Sequence, residues 1–306
     1  MTLQDFLVCP DCLADLQMTS EQATCTNCNR KYPRTETDQL DFRLQKPISR
    51  KFHFQIGEYV SHTDFEFHPI DKNSECDLDI TKSQLPQRIS PALVSHLPPS
   101  PDSESYLLDL GCGAGTFRPL SQSWGYKWVG IDITGDDPSL LADAHALPFP
   151  ADFFDAAVAI KVLEHVQYPW VVLQEIARVT KPGTTLIGNV AFIEPFHADS
   201  CYHVSPNGIL SLLQDTGFGP EKIGPAKHGQ FTLTWGLFPY LPKLAAHVVV
   251  TPIHLLHRLW YKVGSLALDH EKASEYFRQI KLAGEFEFVA VNESNVESSS
   301  QPVPRC

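Results

Sequence analysis

The chain carries one stretch around which the rest can be interpreted, Leu107-Leu108-Asp109-Leu110-Gly111-Cys112-Gly113-Ala114-Gly115-Thr116. An apolar run ends at an acid and then breaks into three alternating glycines. This pattern is typical of a buried parallel strand that turns tightly into a helix, with its backbone open toward a nucleotide-like ligand. Val129-Gly130-Ile131-Asp132 follows as a second strand ending in an acid. Asp132 lies about twenty residues after the glycine turn, a spacing that is typical of a carboxylate that hydrogen-bonds to ribose hydroxyls.

The end of the glycine turn discriminates between ligands. A dinucleotide-binding turn requires a further glycine where this chain has Thr116, because helix and strand must pack close to a pyrophosphate. Asp109, directly before the loop, would repel a pyrophosphate but can meet an ammonium group. These features disfavour the two alternatives, an NAD enzyme and a Rossmann-like domain that binds nothing.

Further segments follow in a fixed order. They are Asp143–Phe149, a strand over Phe153–Ile160, the stretch Val162–Val166, and a helix from Leu173 to Thr180 that is closed by Lys181-Pro182-Gly183. In this order, over about residues 88–225, the chain resembles the class I S-adenosylmethionine-dependent methyltransferases, specifically the small-molecule group typified by ubiquinone-biosynthesis methyltransferases. The resemblance implies an α/β fold, a Rossmann-like seven-stranded sheet with helices on both faces.

The resemblance also implies S-adenosylmethionine as the cofactor. Asp109 and the glycine loop would line its methionine moiety, and Asp132 would take the ribose hydroxyls. Asp143 with Ala144 would face the adenine edge, and Lys161 would follow the fourth strand near the cofactor. The implied cofactor-binding residues are Asp109, Gly111, Cys112, Gly113, Gly115, Asp132, Ile133, Asp143, Ala144 and Lys161.

Length and composition limit the number of domains and the class of function. A chain of 306 residues, 43% hydrophobic, suits one large domain plus a small one. Its net charge of −12 disfavours broad nucleic-acid binding, since phosphate neutralisation supplies most of such affinity. We find neither a signal-peptide pattern in Met1–Ser20 nor an apolar run of membrane-spanning length, so we expect a cytoplasmic, reducing setting.

Four cysteines predict a structural zinc site. Cys9-Pro10-Asp11-Cys12 and Cys25-Thr26-Asn27-Cys28 are two CxxC knuckles with twelve residues between them. Each knuckle lets two thiolates reach one ion from a tight turn, and two knuckles complete a tetrahedral site with no position left for water. In a reducing setting, paired cysteines indicate metal more often than a disulfide. Redox CxxC pairs and four unrelated thiols are the alternatives.

With Arg30-Lys31-Tyr32-Pro33, the first forty or so residues resemble the zinc ribbons of the Trm112-like family. This resemblance implies that the ribbon can bind a protein partner. Zinc ribbons are also fused to some ribosomal-RNA methyltransferases, but residues 1–46 hold seven acids against five basic residues, which disfavours RNA.

The loop after the fifth strand, Phe192–Pro206, is the predicted wall of the acceptor site. In open α/β sheets ligands bind beyond the carboxyl ends of the strands, and this loop lies on that side. If the acceptor is a hydroxyl, a general base helps, and histidine is suited to that role near neutral pH. The candidate bases are His203 and His197 in this loop and His165 after the fourth strand. The alternative is that all three only position neighbours.

The remaining segments are an aromatic and histidine-rich connector at 47–87, a helical insert at 230–284 and a disordered tail at 293–306. Pro239, Pro242 and Pro252 predict several short amphipathic helices in the insert, not one long helix. The insert is interpreted as a lid over an apolar acceptor, a peripheral membrane contact, or extra helices packed on the fold.

We therefore expect a zinc ribbon at 1–46, the connector, and a methyltransferase domain at 88–292 that contains the insert. The expected function is methyl transfer from S-adenosylmethionine to a small-molecule or lipid-like acceptor. The alternatives are a non-catalytic cofactor-binding scaffold with a protein-binding ribbon, and an RNA methyltransferase.

Overall fold

The structure is a computed structural model. It describes residues 2–49, 65–74, 85, 89–194, 196–197, 199–226, 243–267, 279–281 and 283–294. Most of the predicted connector, the flanks of the predicted insert and residues 295–306 of the predicted tail lie outside these residues.

The N-terminal segment forms a small antiparallel sheet. A 3-10 helix at Leu3–Phe6 precedes β1 (Leu16–Met18), β2 (Gln22–Cys25) and β3 (Lys31–Pro33), which pair in the order β1-β2-β3. The next strand, β4 (Asp41–Phe42), leaves this small sheet and pairs in parallel with the edge of the large one.

The large sheet has the order β10-β11-β9-β8-β5-β6-β7-β4. Its strands are β5 (Tyr106–Leu110), β6 (Lys127–Asp132), β7 (Leu140–Ala142), β8 (Phe154–Ile160), β9 (Thr180–Ala191), β10 (Phe218–Pro225) and β11 (Glu285–Asn292). Strands β4 to β9 run parallel, while β11 is antiparallel to both β9 and β10.

Helices cover both faces of this sheet. They are α1 (Pro91–Val94), α2 (Arg118–Ser123), α3 (Pro169–Val179) and α4 (Pro206–Asp215). A fifth helix, α5 (Lys243–Ala267), belongs to the predicted insert. Successive strand residues point to opposite faces. Accordingly, Leu107 packs into the core that holds α1 and α2, and Leu108 packs into the core that holds α3 and α4. The predicted Rossmann-like α/β fold is confirmed.

The sheet has one strand more than the seven predicted. The eighth is β4, which comes from the end of the N-terminal segment and joins the sheet beside β7. The amide of Leu141 donates to the carbonyl of Leu40 at 3.1 Å, and Tyr32 and Phe42 are buried in the same core as Leu108. A two-residue strand gives no period-2 signal in sequence, and only the non-local pairing reveals it.

The helices of the insert differ from the prediction. Several short helices were expected between 230 and 284, but α5 runs unbroken through Pro252 for 25 residues. Proline removes the amide that would bond to the carbonyl four residues earlier, here that of Val248. Pro252 and Val248 both lie on the exposed side of α5, where water can serve that carbonyl. Among the described residues, no helix has both the length and the apolarity needed to cross a membrane.

Candidate active site and metal centre

The glycine loop leaves the carboxyl end of β5 and is pinned to β6. The amides of Gly111 and Cys112 both donate to the carbonyl of Ile131, at 2.8 and 3.2 Å. Gly111, Gly113 and Gly115 have φ angles of +65°, +51° and +61°, a region that side chains disfavour. A Cβ at Gly111 would lie 2.4 Å from Val162, whereas a Cβ at Gly113 would meet nothing within 4 Å. Residue 111 must therefore be glycine because Val162 packs against it, whereas Gly113 faces an open space.

Asp132 closes one side of this loop. Its Oδ2 accepts from the amide of Gly113 at 2.9 Å, and its Oδ1 accepts from the amide of Ile133 at 2.7 Å. The amide of Thr134 also donates to Oδ1, at 3.3 Å. Each carboxylate oxygen has two lone pairs, so acceptor capacity remains at Oδ2. The side chain of Ile133 is 56% exposed beside it and offers an apolar surface.

Asp109 lies under the loop and is almost fully buried. Its Oδ2 accepts from the indole Nε1 of Trp128 at 2.9 Å. Burial raises the pKa of Asp109 to about 7, and the nearby Asp132 carboxylate adds to the shift. The guanidinium of Arg118 lies 4.1 Å from the ring centroid of Trp128. Asp109 is thus a carboxylate whose ionisation a cationic ligand would favour.

Trp128 was missed in the sequence analysis. It sits on β6 two residues before Gly130, which is paired across the strand with Asp109. A Cβ at Gly130 would lie 2.2 Å from the indole, so the absent side chain makes room for it. The signal in the sequence that could have revealed Trp128 was Gly130, a glycine in the strand that pairs with the strand of Asp109.

Asp143 and Ala144 follow β7, and His145 holds this segment in place. Asp143 Oδ1 accepts from the amide and the Nδ1 of His145, at 2.9 and 2.6 Å. The amide of Tyr168 donates to His145 Nε2 at 3.2 Å. Since Nε2 accepts, Nδ1 carries the proton and His145 is a neutral tautomer. His145 thereby ties the predicted adenine-side segment to the start of α3, a connection that sequence spacing did not reveal.

Lys161 begins a second group of polar side chains. Its Nζ donates to Glu194 Oε1 at 2.8 Å, forms an ion pair with Glu285 and lies 4.0 Å from Glu164. Its φ is +58°, and its amide donates to Asn189 Oδ1 at 2.8 Å. The ammonium is thus held by carboxylates from three segments of the chain. Its predicted place near the cofactor stays a prediction.

Glu164 is the least satisfied side chain of this group. It is fully buried, and among the described residues neither carboxylate oxygen has a hydrogen-bond partner. Burial raises its pKa to about 7, while Lys161 and His197 oppose the shift. The amides of Cys201 and Tyr202 donate to its backbone carbonyl at 2.6 and 3.1 Å, which brings the loop after β9 over it.

The three candidate bases lie together in this group. The ring centroids of His165 and His197 are 5.3 Å apart, and those of His197 and His203 are 6.1 Å apart. His197 Nε2 lies 3.7 Å from Glu194 Oε2, whereas the exposed His203 pairs with Ser200 Oγ at 3.2 Å. One ligand atom each from Glu164, His165 and His197 lies within 4.8 Å of the others.

Val162 connects the two groups. It follows Lys161 at the end of β8, and its side chain fills the space against Gly111. The cofactor-side residues and the histidine-bearing loop therefore meet at the carboxyl ends of β5 and β8, as expected of a doubly wound sheet.

The four predicted zinc ligands form a third group, in the N-terminal segment. Their sulfur atoms lie within 4.8 Å of one another, with Cys9 to Cys28 at 3.7 Å and Cys12 to Cys25 at 3.5 Å. Four sulfurs about 2.3 Å from a zinc ion form a tetrahedron with edges of about 3.8 Å. A disulfide would need about 2.05 Å. The amides of Asn27 and Cys28 both point at Cys25 Sγ at 3.4 Å, as suits a thiolate.

Comparison with known proteins agrees with this geometry. Residues 108–188, which run from β5 into β9, match a family described as a methyltransferase domain. An uncharacterized methyltransferase of Mycobacterium leprae is 33% identical over 94 residues, which cover 26% of this chain and 35% of that protein. One of Mycobacterium tuberculosis is 32% identical over 104 residues, covering 29% and 41%. The chain thus spans about a third to two fifths of the length of these relatives.

Two solved structures are also similar to the chain. One is a complex between the Haloferax volcanii Trm112 methyltransferase activator and a methyltransferase, with 20% identity, a TM-score of 0.43 and coverage of 65% of this chain and 87% of that one. The other is a phosphoethanolamine N-methyltransferase of Haemonchus contortus, with 16% identity, a TM-score of 0.43 and coverage of 66% and 51%.

The resemblance stated from the sequence is therefore confirmed for the centre of the chain. Residues 108–188 match a methyltransferase-domain family and lie within a Rossmann-like α/β sheet.

Proposed function

We propose that the chain binds S-adenosylmethionine at the glycine loop and transfers its methyl group to an acceptor held under the loop after β9. The observation that carries this proposal is the pair of carboxylates around an open glycine. Asp109 lies under the loop and Asp132 beside it, with free space at Gly113 between β5 and β6.

The residues present fit this cofactor. A buried acid whose pKa is near neutrality suits an ammonium group, since a cation favours the ionised carboxylate. Asp132 retains acceptor capacity for ribose hydroxyls, and the exposed Ile133 offers an apolar face for a base. When bound, S-adenosylmethionine supplies a methyl group on a sulfonium, which is already a good leaving group.

The protein must then align the acceptor with that methyl group and exclude water. The loop after β9 is placed to do this, because its backbone is bonded over Glu164. For a hydroxyl acceptor we assign proton removal to His197. The Glu194 carboxylate, 3.7 Å away, and the buried Glu164 would stabilise the imidazolium that forms.

We further propose that Cys9, Cys12, Cys25 and Cys28 hold a structural zinc ion. The sulfur spacing supports a tetrahedral site, and four thiolates leave no coordination position for a reacting water. A small-molecule or lipid-like acceptor is part of the proposal, because the chain as a whole is strongly acidic.

Transfer of label from methyl-tritiated cofactor to fractions of a cell extract tests the function. We expect label in a small-molecule or lipid fraction. Asp132→Ala should weaken cofactor binding at least about tenfold, since charge-assisted hydrogen bonds are worth roughly 1.5–3 kcal/mol. The exposed Asp215→Ala serves as the control. Cofactor binding without transfer to any fraction would favour the scaffold alternative, and label in RNA would favour the RNA alternative.

A further inference from the structure

Helix α5 presents a stripe of large apolar side chains to solvent. These are Leu255, Leu256, Leu259, Trp260 and Val263, which are 58%, 67%, 57%, 74% and 51% exposed. At about 100° per residue, the five positions fall within an arc of about 140° on one side of the helix. We call this set the apolar stripe. Contiguous exposed apolar surface of this kind marks an interaction site more often than it marks packing.

The other side of α5 is less exposed than the apolar stripe. His257 and Tyr261 are half-buried there, one turn apart, with ring centroids 4.8 Å from each other. The apolar stripe is therefore on the exposed side of α5.

The charge of α5 is opposite to that of the chain. Lys243–Ala267 contains Lys243, Arg258 and Lys262 and neither Asp nor Glu, in a chain of net charge −12. Arg258 and Lys262 are exposed and one turn apart, at one edge of the apolar stripe. A helix with an apolar face, a basic border and an exposed tryptophan suits the interface of an anionic bilayer.

The position of the insert adds a reason for such contact. The chain that returns from α5 enters β11 at Glu285, which pairs with Lys161 in the candidate acceptor site. Just before it, the carbonyl of Gly284 accepts from the amide of Phe192, the first residue of the loop after β9. The insert thus rejoins the sheet at the acceptor side.

We propose that α5 is an interfacial helix that lies in the surface of an anionic lipid bilayer, with the apolar stripe in the acyl boundary and Arg258 and Lys262 at the lipid phosphates. The inference does not depend on methyl transfer, because it concerns binding alone. It does not require a membrane span, and α5 falls short of one.

Sedimentation of the full chain with vesicles tests this proposal. We compare vesicles of phosphatidylcholine alone with vesicles that contain about one third phosphatidylglycerol. We expect binding to the anionic vesicles, weaker binding to the neutral ones, and loss of binding as salt is raised. Binding to neither type of vesicle, or equal binding to both, would overturn the proposal.

Two surface variants separate the contributions. Leu256→Ser with Trp260→Ser removes two exposed apolar side chains and should lower vesicle binding at least about tenfold, given the area that each buries. Arg258→Glu with Lys262→Glu should abolish the preference for anionic vesicles, whereas Lys31→Glu, an exposed lysine of β3, should not. Circular dichroism confirms that each variant folds.

Two other partners, a second copy of the chain or another protein, could cover the apolar stripe. Each predicts a different result in the vesicle experiment. If a second copy of the chain covers it, the serine variant shifts the molecular mass in solution toward the monomer and leaves vesicle binding unchanged. If another protein covers it, the wild-type chain does not sediment with either vesicle. Both results contradict the proposal.

Discussion

The surroundings of Asp109 lead to a prediction about how cofactor affinity depends on pH. Its pKa near 7 without ligand falls when an ammonium group binds beside it, since the cation stabilises the carboxylate. Above pH 7 the carboxylate is already ionised. Below pH 7 a proton must leave on binding, so cofactor affinity should fall by up to about tenfold per pH unit.

Calorimetry in buffers of different ionisation enthalpy checks this prediction by counting the protons released. 5′-Methylthioadenosine, which has no ammonium group, is the matched ligand and should bind with little dependence on pH over the same range. Asp109→Asn should remove the dependence for the full cofactor. A pH-independent affinity in the wild-type chain would show that Asp109 does not meet the ammonium group.

Gly113 allows a test of the open space in the loop. Gly113→Ala and Gly183→Ala place a Cβ at φ +51° and +81°, and neither Cβ meets an atom within 4 Å. Both should therefore cost about 1–2 kcal/mol of stability through backbone strain. Only Gly113→Ala should also weaken cofactor binding, because only its Cβ enters the proposed cofactor space. Equal affinities in the two variants would place the cofactor elsewhere.

The histidines make a prediction about turnover. His197→Ala should lower kcat by about 10²–10⁴-fold with unchanged cofactor affinity, because a general base contributes on that scale. His203→Ala is the matched control, since His203 is exposed and pairs with Ser200. At saturating cofactor, where the pH dependence of binding no longer limits the rate, the acidic limb of the kcat profile should disappear only in His197→Ala. If it disappears in His203→Ala, or in neither variant, His197 is not the base.

In the structure Asp109, Asp132 and the glycines lie around one loop, and their role in cofactor binding stays a prediction. Sequence spacing could bring them to one loop because they follow two neighbouring parallel strands. It could not show that Trp128 bonds to Asp109 or that His145 bridges to Tyr168, because each contact joins segments that only the folded sheet brings together. The burial of Glu164 was missed for the same reason. Its sequence neighbours do not reveal that the loop after β9 covers it.

At the scale of elements, the parallel strands were predictable because long apolar runs between helices have few alternatives. The unbroken course of α5 through Pro252 was not predictable from the sequence. Proline normally breaks a helix, but Val248, the residue whose carbonyl loses the amide of Pro252 as a partner, is 67% exposed to solvent. Strand β4 is also beyond sequence analysis, because two residues acquire strand geometry only from the partner β7.

The proposed zinc site leads to a prediction about stability at this scale. Cys25→Ser, or removal of metal by a chelator, should lower the Tm by several degrees, because a structural metal contributes directly to folding. The amide of Leu141, which bonds to Leu40 of the segment after the ribbon, should exchange its hydrogen faster. Amides in the centre of β9 should be little changed.

Cys201→Ser is the control for this experiment, since the exposed Cys201 lies outside the cysteine cluster. Elemental analysis of freshly purified protein should find one zinc per chain. A chain that holds no metal, or a chelated chain with unchanged Leu141 exchange, would refute the ribbon's proposed role.

At the scale of the whole molecule, the predicted zinc ribbon and methyltransferase domain share one hydrophobic core. Cys9, Cys25 and Tyr32 are buried together with residues of β5 and β6. The amide of Val8 also donates to the carbonyl of Pro148 at 3.0 Å, and Phe6 packs 5.1 Å from Phe153 between ring centroids. Composition and cysteine spacing separated two units, but they carried no information on the contact between them.

The order of strands in the large sheet has a consequence for biosynthesis. Strand β11, the last described strand to leave the ribosome, inserts between β9 and β10 and is almost entirely buried. A nascent chain can assemble β4 to β9 as they emerge, but among the described strands β10 has none to pair with until β11 is made. During that interval the edge of β9 stays open to unwanted pairing with other chains. Translation through Asn292 therefore completes the sheet.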